Sequence, residues 1–593
     1  MSRVLVYLLR RDLRLADNPV FHELSRLNSQ AQKPFTHLLP LYVFSAQQIE
    51  TSGFLHPGSQ SPYPEARSSV AGFWRCGRLR AKFLAESVWD LKNDLEKAGS
   101  GLVIRVGEVG DVIGGLMEGL KPSGEVSAVW ITGEDGWEEK QEEKRLRRLV
   151  EGAGKGFKIW GDEKYLVDDR DLPFKDSHDL PDVFTTFRKT VEPLRAAPRK
   201  RLPKPANLPS LPGTIPAQAS PFQIPNSLDD TISALWKPVS SDMDLPSPPQ
   251  MPSGVESAHP FLGGSQAAHQ RVEHLLNSGA MTSYKDTRNG LLGLDFSTKL
   301  SAWLALGCIS AREVHWAMVD FEDGRGSIGS SAPGYGRGEN KGMAAVRFEL
   351  LWRDYMRLCT RKFGSRLFFV EGYKDDRETR WKYVSGRATE KKKSDGSSDA
   401  DTKQALQRFL NGTTGTSLID ASQRELFLTG WTSNRARQNV ASYLAKRLFV
   451  DWRVGAEWYE ANLIDYDVHS NWGNWQYVAG VGNDPRGEAR VFNPVKQAFD
   501  YDGQGDYVRA WVPELRDVGA GSREKSDVAG VFQAWKMPAA EKKRLGLDGV
   551  EWVERPLVRI EYSVGGRGGA KRGRGSGGGS RGTGGRGRGR GPA

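Results

Sequence analysis

An α/β amino-terminal domain built on a parallel sheet, a large all-α domain after it, and a disordered Gly/Arg-rich tail make up the architecture that this sequence predicts. Three observations predict it. Residues 1 to 170 alternate short apolar runs with helical patterns. Residues 266 to 515 show almost only helical periodicity, and residues 565 to 593 are dominated by Gly and Arg. At 593 residues the chain exceeds what one hydrophobic core serves, so several packed units joined by linkers are expected.

Composition narrows the class. With 38% hydrophobic and 26% charged residues the chain reads as an ordinary globular protein, and no stretch resembles a membrane span. Its three cysteines, Cys76, Cys308 and Cys359, form no CxxC or Cys/His cluster, so neither a disulfide framework nor a structural zinc site is expected. A reducing compartment follows, and with it an intracellular, non-secreted protein of the nucleus or cytoplasm, an organelle being left open. Val4 to Leu9, VLVYLL, reads as a buried strand and is too short and wrongly flanked for a signal peptide. The formal charge of +11 is mostly a property of the tail, where eight Lys or Arg and no acid lie between Gly565 and Ala593, leaving +3 for the rest. Nucleic-acid affinity of the folded part must therefore come from a local patch.

Taken in order, the first domain shows the apolar runs VLVYLL, HLLPLYVF, LVIRV and AVWI, with a long helix near Lys82 to Lys97. The loop after the first strand, RRDLRLADNP, has no GxGxxG, which disfavours a nicotinamide enzyme. Residues 171 to 265 are read as an interdomain linker, Pro- and Ser-rich from about Ala197 to Pro260. In the helical domain, AVRFELLWRDYMRLC sets Phe348, Leu351, Trp352, Tyr355, Leu358 and Cys359 on one broad apolar face. TSNRARQNVASYLAKRLF repeats the pattern with Val440, Tyr443, Leu444 and Leu448, and Thr432 or Ser433 is placed to cap it. Residues 516 to 564 form a mixed, charged extension, and the tail from 565 to 593 cannot bury enough apolar surface to fold alone.

Three constellations carry chemistry. Tyr284-Lys-Asp-Thr-Arg-Asn-Gly with Ser297-Thr-Lys-Leu-Ser301 places an aromatic, hydroxyls and bases where a loop meets a helix, a setting that can hold a diphosphate and serves equally as a plain N-cap. Glu349, Trp352 and Arg353 fall at i, i+3 and i+4 of one helix, as do the amides Asn434 and Gln438 one turn apart on another. An ordinary surface Glu-to-Arg pair beside a core tryptophan accounts for the first of these as well. LIDYDVHSNWGNWQYVAG interleaves Asp465, Asp467 and Asn471 with Trp472, Trp475 and Tyr477 and is hard to explain as core packing alone. Metal binding by Asp465, Asp467 and His469 competes, but no further carboxylate or histidine lies nearby in sequence, and no metal is expected.

DYDVHSNWGNWQY, GWTSNRARQNVASYL, FELLWRDYMR, SYKDTRNG with STKLSAWLALGCIS, and DLPDVFTTFRKTVEP together closely resemble the photolyase and cryptochrome family, in its DASH branch, from about Arg3 to Trp511. The resemblance implies a bound FAD. It puts Tyr284, Ser297, Thr298, Lys299, Leu300 and Ser301 at the phosphate and ribose contacts, and Glu349, Trp352 and Arg353 on a wall shared by flavin and lesion. Asn434 matches a residue near both ligands; Asp465, Asp467 and Asn471 match the lining of the flavin ring, with Asn471 facing N5 and Arg437 paired to Asp465. Trp475 and Trp452 match the inner two members of a relay of oxidisable indoles, and Trp381 is chosen over its neighbours as the third.

The implied reaction is blue-light electron transfer from reduced FAD to a cyclobutane pyrimidine dimer flipped into the cavity, with Glu349 and Asn434 on the thymine carbonyls and Trp352 against the dimer. Gln438 and Tyr477 stand where duplex-acting relatives carry Met and Trp, which predicts a preference for single-stranded DNA. Glu134 sits at the expected carboxylate for a methenyltetrahydrofolate antenna, although its neighbours depart from the family pattern. Arg567, Arg574, Arg581, Arg586, Arg588 and Arg590, among 15 glycines, resemble RGG segments that bind RNA or single-stranded DNA. A monomer is expected. Three readings result: a single-strand photolyase, a blue-light photoreceptor with little or no repair, and an RNA-binding protein that carries flavin.

Overall fold

The computed structural model describes residues 2–563 apart from 122–123, 240–244, 246–247, 380, 384–398, 488–489 and 522–523. The Gly/Arg-rich tail and its arginines therefore lie outside the described residues. The amino-terminal half is a parallel sheet of β1 (Ser2–Leu9), β2 (His37–Ser45), β3 (Val103–Gly107), β4 (Gly124–Thr132) and β5 (Gly156–Trp160), in the order β3-β2-β1-β4-β5. The central strands read as unbroken apolar runs because both faces are covered. From β1, Val4, Val6 and Leu8 enter one core with Ile113, Leu116, Leu146 and Val150. Leu5, Tyr7 and Leu9 enter the other with Phe21, Phe83 and Val88.

β5 is absent from the runs foreseen in the sequence. It is an edge strand, GFKIW, only partly buried, so it lacks the continuous apolar signature of its neighbours. The opposite edge is covered by the Pro-rich segment: Gln218 takes the β3 backbone through Val106 N–H and Val106 C=O, both at 3.0 Å. That pairing blunts an edge otherwise open to another strand. Residues 171 to 265, read as a linker, carry two α-helices, Phe184–Val191 and Leu228–Trp236.

Where a dinucleotide enzyme has a glycine-rich loop, this chain has an ionic clamp. Asp17, buried after β1, is ion-paired to Arg312 and accepts from the Ser310 hydroxyl, while Arg14 pairs with Asp162 at 2.9 Å. Leu13 N–H donates to Leu306 C=O at 3.2 Å. These contacts fix the sheet against the Ser301–Leu306 and Ala311–Glu322 helices, and removing one partner of such a buried pair costs about 3–5 kcal/mol.

The helical half is organised around Lys341–Phe363, whose first turn is capped by Asn340 accepting from Met343 N–H. Leu351, Tyr355, Leu358 and Cys359 on its apolar face are fully buried, whereas Phe348 and Trp352 are only partly so. Ser433, not Thr432, caps the Asn434–Tyr443 helix, accepting from Ala436 N–H at 3.2 Å. After a π turn over Leu444–Leu448, Phe449 adopts φ 55° and the chain reverses into Trp452–Asn462 and then Val468–Ala479. The extension folds back on this half: Leu557 N–H meets Thr414 C=O at 2.8 Å, and Trp552 and Val553 join its core.

Candidate functional site

A cavity of about 570 Å³ opens among four of these helical elements. Its floor is the loop before Ser301–Leu306, which contributes Ser297, Thr298, Lys299, Leu300 and Ser301, with Tyr284 beside it. Buried Arg271 shapes that loop from behind, donating to Thr298 C=O at 3.0 Å and Ser297 C=O at 3.2 Å. Lys299 sits at φ 55° and its ammonium donates to the carbonyls of Gly293 and Leu294 at 3.0 and 2.6 Å. Burial and the nearby Arg271 lower the Lys299 pKa to about 7.

The Lys341–Phe363 helix supplies a second wall, where one-turn spacing brings Glu349, Trp352 and Arg353 to the cavity together. Glu349 is ion-paired with Arg288; burial raises its pKa despite that partner. Trp352 stacks on Phe184 with ring centroids 3.6 Å apart and an interplanar angle of 12°, and meets Tyr477 edge-on at 6.1 Å. Arg353 donates to Leu304 C=O at 2.8 Å, while its Nε and Nη1 are buried without a protein partner. Orphaned guanidinium donors at a cavity wall call for a ligand acceptor.

The remaining walls bring Arg437, Asp465 and Asp467 to the same space, with Asn434 at its exposed rim. Arg437 grips Asp465 in a bidentate pair at 3.1 and 2.9 Å, which leaves Asp465 committed to a cation of the protein. Asp467 caps its own helix, accepting from Ser470 N–H at 2.8 Å. Burial opposes its charge, but His469 and Arg353 outweigh that and hold the Asp467 carboxyl far below the usual range. Among the described residues no cluster of three or more His, Cys, Asp or Glu could hold a metal ion.

Some expected residues lie behind the lining. Asn471 is buried on the Val468–Ala479 helix and its amide donates to Ala456 C=O at 2.9 Å, while its neighbours Ser470 and Asn474 reach the cavity. Trp475 is not part of the lining and packs on the Trp452–Asn462 helix, where it meets Tyr459 edge-on at 5.2 Å and covers Gly455. Trp452 is fully buried and its indole N–H donates to Val370 C=O at 3.0 Å. Trp381 is buried too, on a strand-like segment whose next residue, Lys382, bridges Phe449 and Asp451 just before Trp452.

Glu134 does not line this cavity. It lines a separate space of about 70 Å³ and is paired at 2.6 Å with Lys164.

Sequence reasoning missed several lining residues. Arg435 is one of them, donating to the expected Gln438 at 3.0 Å and to Asn289 at 2.8 Å. Arg288, Arg435, Arg486 and Arg490 all line the cavity and make it strongly basic. The repeated arginines in TRNG, NRAR and DPRGEAR were the available signal.

The sequence matches the family described as DNA photolyase over residues 5–207 and that described as the FAD binding domain of DNA photolyase over residues 346–563. A putative mitochondrial cryptochrome DASH of Neurospora crassa is 52% identical over 579 residues, covering 95% of this chain and 76% of that protein. The cryptochrome DASH of Xenopus laevis is 39% identical, with 88% of this chain and 84% of that one covered. The crystal structure of a Synechocystis cryptochrome superposes with a TM-score of 0.72 at 31% identity, covering 94% and 99% of the two chains. The cavity fits the group that the matched domain binds. It has ligand-scale volume, hydroxyls with a lysine on one side, and on the other a flat aromatic wall with the unpartnered Arg353 nitrogens.

Proposed function

The chain belongs to the photolyase and cryptochrome family, in its DASH branch, and on that premise we propose that it splits cyclobutane pyrimidine dimers in single-stranded DNA under blue light. One observation carries the reading: Glu349, Trp352 and Asn434 line the same cavity as the Ser297–Ser301 loop and the Arg437–Asp465 pair. A lesion and a flavin bound there are neighbours.

When bound, FAD supplies the light-driven one-electron chemistry. The hydroxyls of Ser297, Thr298 and Ser301 donate to the diphosphate, and Lys299 neutralises it. Arg437, held by Asp465, keeps a positive charge beside the isoalloxazine, and Asp467 stays ionised as an acceptor. Trp352, backed by Phe184, presents a flat apolar face to the dimer, while the Asn434 amide donates to a thymine carbonyl and the Glu349 carboxylate accepts from a thymine N–H. Trp475, Trp452 and Trp381 pass electrons inward from the protein. Light provides the driving energy, so no general base or nucleophile is needed.

Substrate preference rests on the rim. Gln438 is tied to Arg435, and Tyr477 presents a hydroxyl-bearing ring, so the pocket is less apolar than one that must offset extrusion from a duplex. The four rim arginines supply charge for phosphates, and the Gly565–Ala593 tail adds electrostatic binding of RNA or single strands. The protein acts as a monomer inside the cell, and no helix among the described residues is long and apolar enough to cross a membrane.

A photoreceptor with little repair is the second reading, favoured by the Glu349–Arg288 ion pair, which already engages one oxygen of the carboxylate that a lesion would use. Blue-light treatment of the reduced holoprotein with dimer-containing oligonucleotides separates the two. The repair reading expects dimer loss from the single strand well ahead of the duplex, and loss of that activity in Glu349→Ala; intact dimers in both substrates would overturn it.

A further inference from the structure

Trp452 touches a second indole that the relay does not use. Trp472 lies edge-on to it with ring centroids 5.9 Å apart at 80°. The Trp472 indole N–H is shared between Glu460 Oε2 at 3.2 Å and the Tyr466 hydroxyl at 3.3 Å. Tyr466 in turn donates its hydroxyl to the same Glu460 oxygen at 2.9 Å. All three side chains are buried. Glu460 is anchored from the other side by Arg75 at 3.0 Å, and Arg75 is also paired with Glu138 at 2.8 Å. The Arg80 guanidinium lies 4.3 Å over the Tyr466 ring and donates to Glu460 C=O at 2.8 Å.

We propose that Trp472, Tyr466 and Glu460 form a proton-coupled side branch of the indole relay, which draws the oxidising equivalent from Trp452 and stores it as a neutral tyrosyl radical. The branch rests on the reading that Trp475 and Trp452 are oxidised by the light-excited flavin. Its steps balance. An electron from Trp472 refills the Trp452 radical cation, and an electron from Tyr466 refills Trp472. As Tyr466 is oxidised, its phenolic proton crosses the 2.9 Å hydrogen bond to Glu460 Oε2. One electron and one proton have left Tyr466, Glu460 has become a carboxylic acid, and both tryptophans are restored. In the dark the electron returns to Tyr466 from the flavin and the proton returns from Glu460.

The geometry argues for this chemistry over plain packing in two ways. An oxidised phenol is a strong acid, so a buried tyrosine is a usable donor only beside a base, and here the base already accepts its hydrogen bond. The charge change is also compensated, because Arg75 keeps its pairing with Glu138 when Glu460 is protonated. Separating the proton from the electron in this way delays recombination.

The test uses the full-length holoprotein under blue light, with time-resolved electron paramagnetic resonance and infrared difference spectra. The parent should show a tryptophan signal giving way to a neutral tyrosyl signal, with a new carboxylic-acid C=O band and a slower tyrosyl rise in D2O. Tyr466→Phe should lose the tyrosyl signal and the band, Trp472→Phe should lose both while keeping the Trp452 radical, and Glu460→Gln should lose the band. A parent that forms the Trp452 radical but no tyrosyl signal, or a tyrosyl signal that survives in Tyr466→Phe, overturns the branch and leaves the relay standing. Undiminished flavin photoreduction in Trp452→Phe overturns the relay reading instead, and the branch with it.

Discussion

Raising the pH above neutrality weakens FAD binding through Lys299. Lys299 is 2% exposed, and burial together with Arg271 lowers its pKa to about 7. A diphosphate held at this loop would favour the charged form of Lys299, so above pH 7 binding would take up as much as one proton. Each pH unit then costs a factor of about 10 in affinity, or about 1.4 kcal/mol, until the pKa of the bound form is reached. From pH 7, where half of the free protein is already neutral at Lys299, to pH 9 the dissociation constant rises by up to about 50-fold. The same group acts on the apoprotein with a defined sign. The folded pKa lies below the unfolded value of 10.5, so between about 7 and 10.5 the unfolded chain binds more protons and apoprotein stability rises with pH. Titrating apoprotein with FAD by fluorescence at four pH values, and by calorimetry in buffers of different ionisation enthalpy, reads both the slope and the proton uptake. Lys299→Arg, which stays charged, should flatten the slope. A parent affinity independent of pH from 6 to 9 refutes the reasoning.

Three further outcomes follow from named contacts. A methyl added in Gly455→Ala would meet Trp475 Cη2 at 2.2 Å, so this variant should lose about 1–3 kcal/mol and alter Trp475 fluorescence; an unchanged melting curve contradicts the packing. Asp465→Asn leaves Arg437 without its bidentate anion and should cost about 3 kcal/mol in denaturant unfolding while lowering FAD content on purification. Deleting Gly565 to Ala593 removes eight cationic residues and should weaken single-strand binding, reducing the log-affinity against log-salt slope by up to about 6; an unchanged slope disposes of the tail's role.

How much of this was legible in the sequence depended on burial and on chain separation. The first four strands announce themselves because cores cover both their faces, whereas the half-exposed GFKIW of β5 does not. The cavity's composition was readable because Ser297 to Ser301, Glu349 to Arg353 and Asp465 to Tyr477 are compact local patterns. Its wiring was not. The pairing of Arg288 with Glu349 and the stacking of Phe184 on Trp352 join residues far apart in the chain, and no local pattern encodes them. The ion pair of Glu134 with Lys164 is likewise a contact that no local pattern encodes.

The central claim is that this cavity holds FAD and that electrons reach it through Trp475. Blue-light reduction of the purified oxidised holoprotein with an external thiol, followed by flavin absorbance in the parent and in Trp475→Phe, tests it most directly. The account predicts stoichiometric FAD in both proteins and photoreduction slowed by at least about tenfold, or about 1.4 kcal/mol in barrier, in the variant. Equal rates in the two proteins would contradict it.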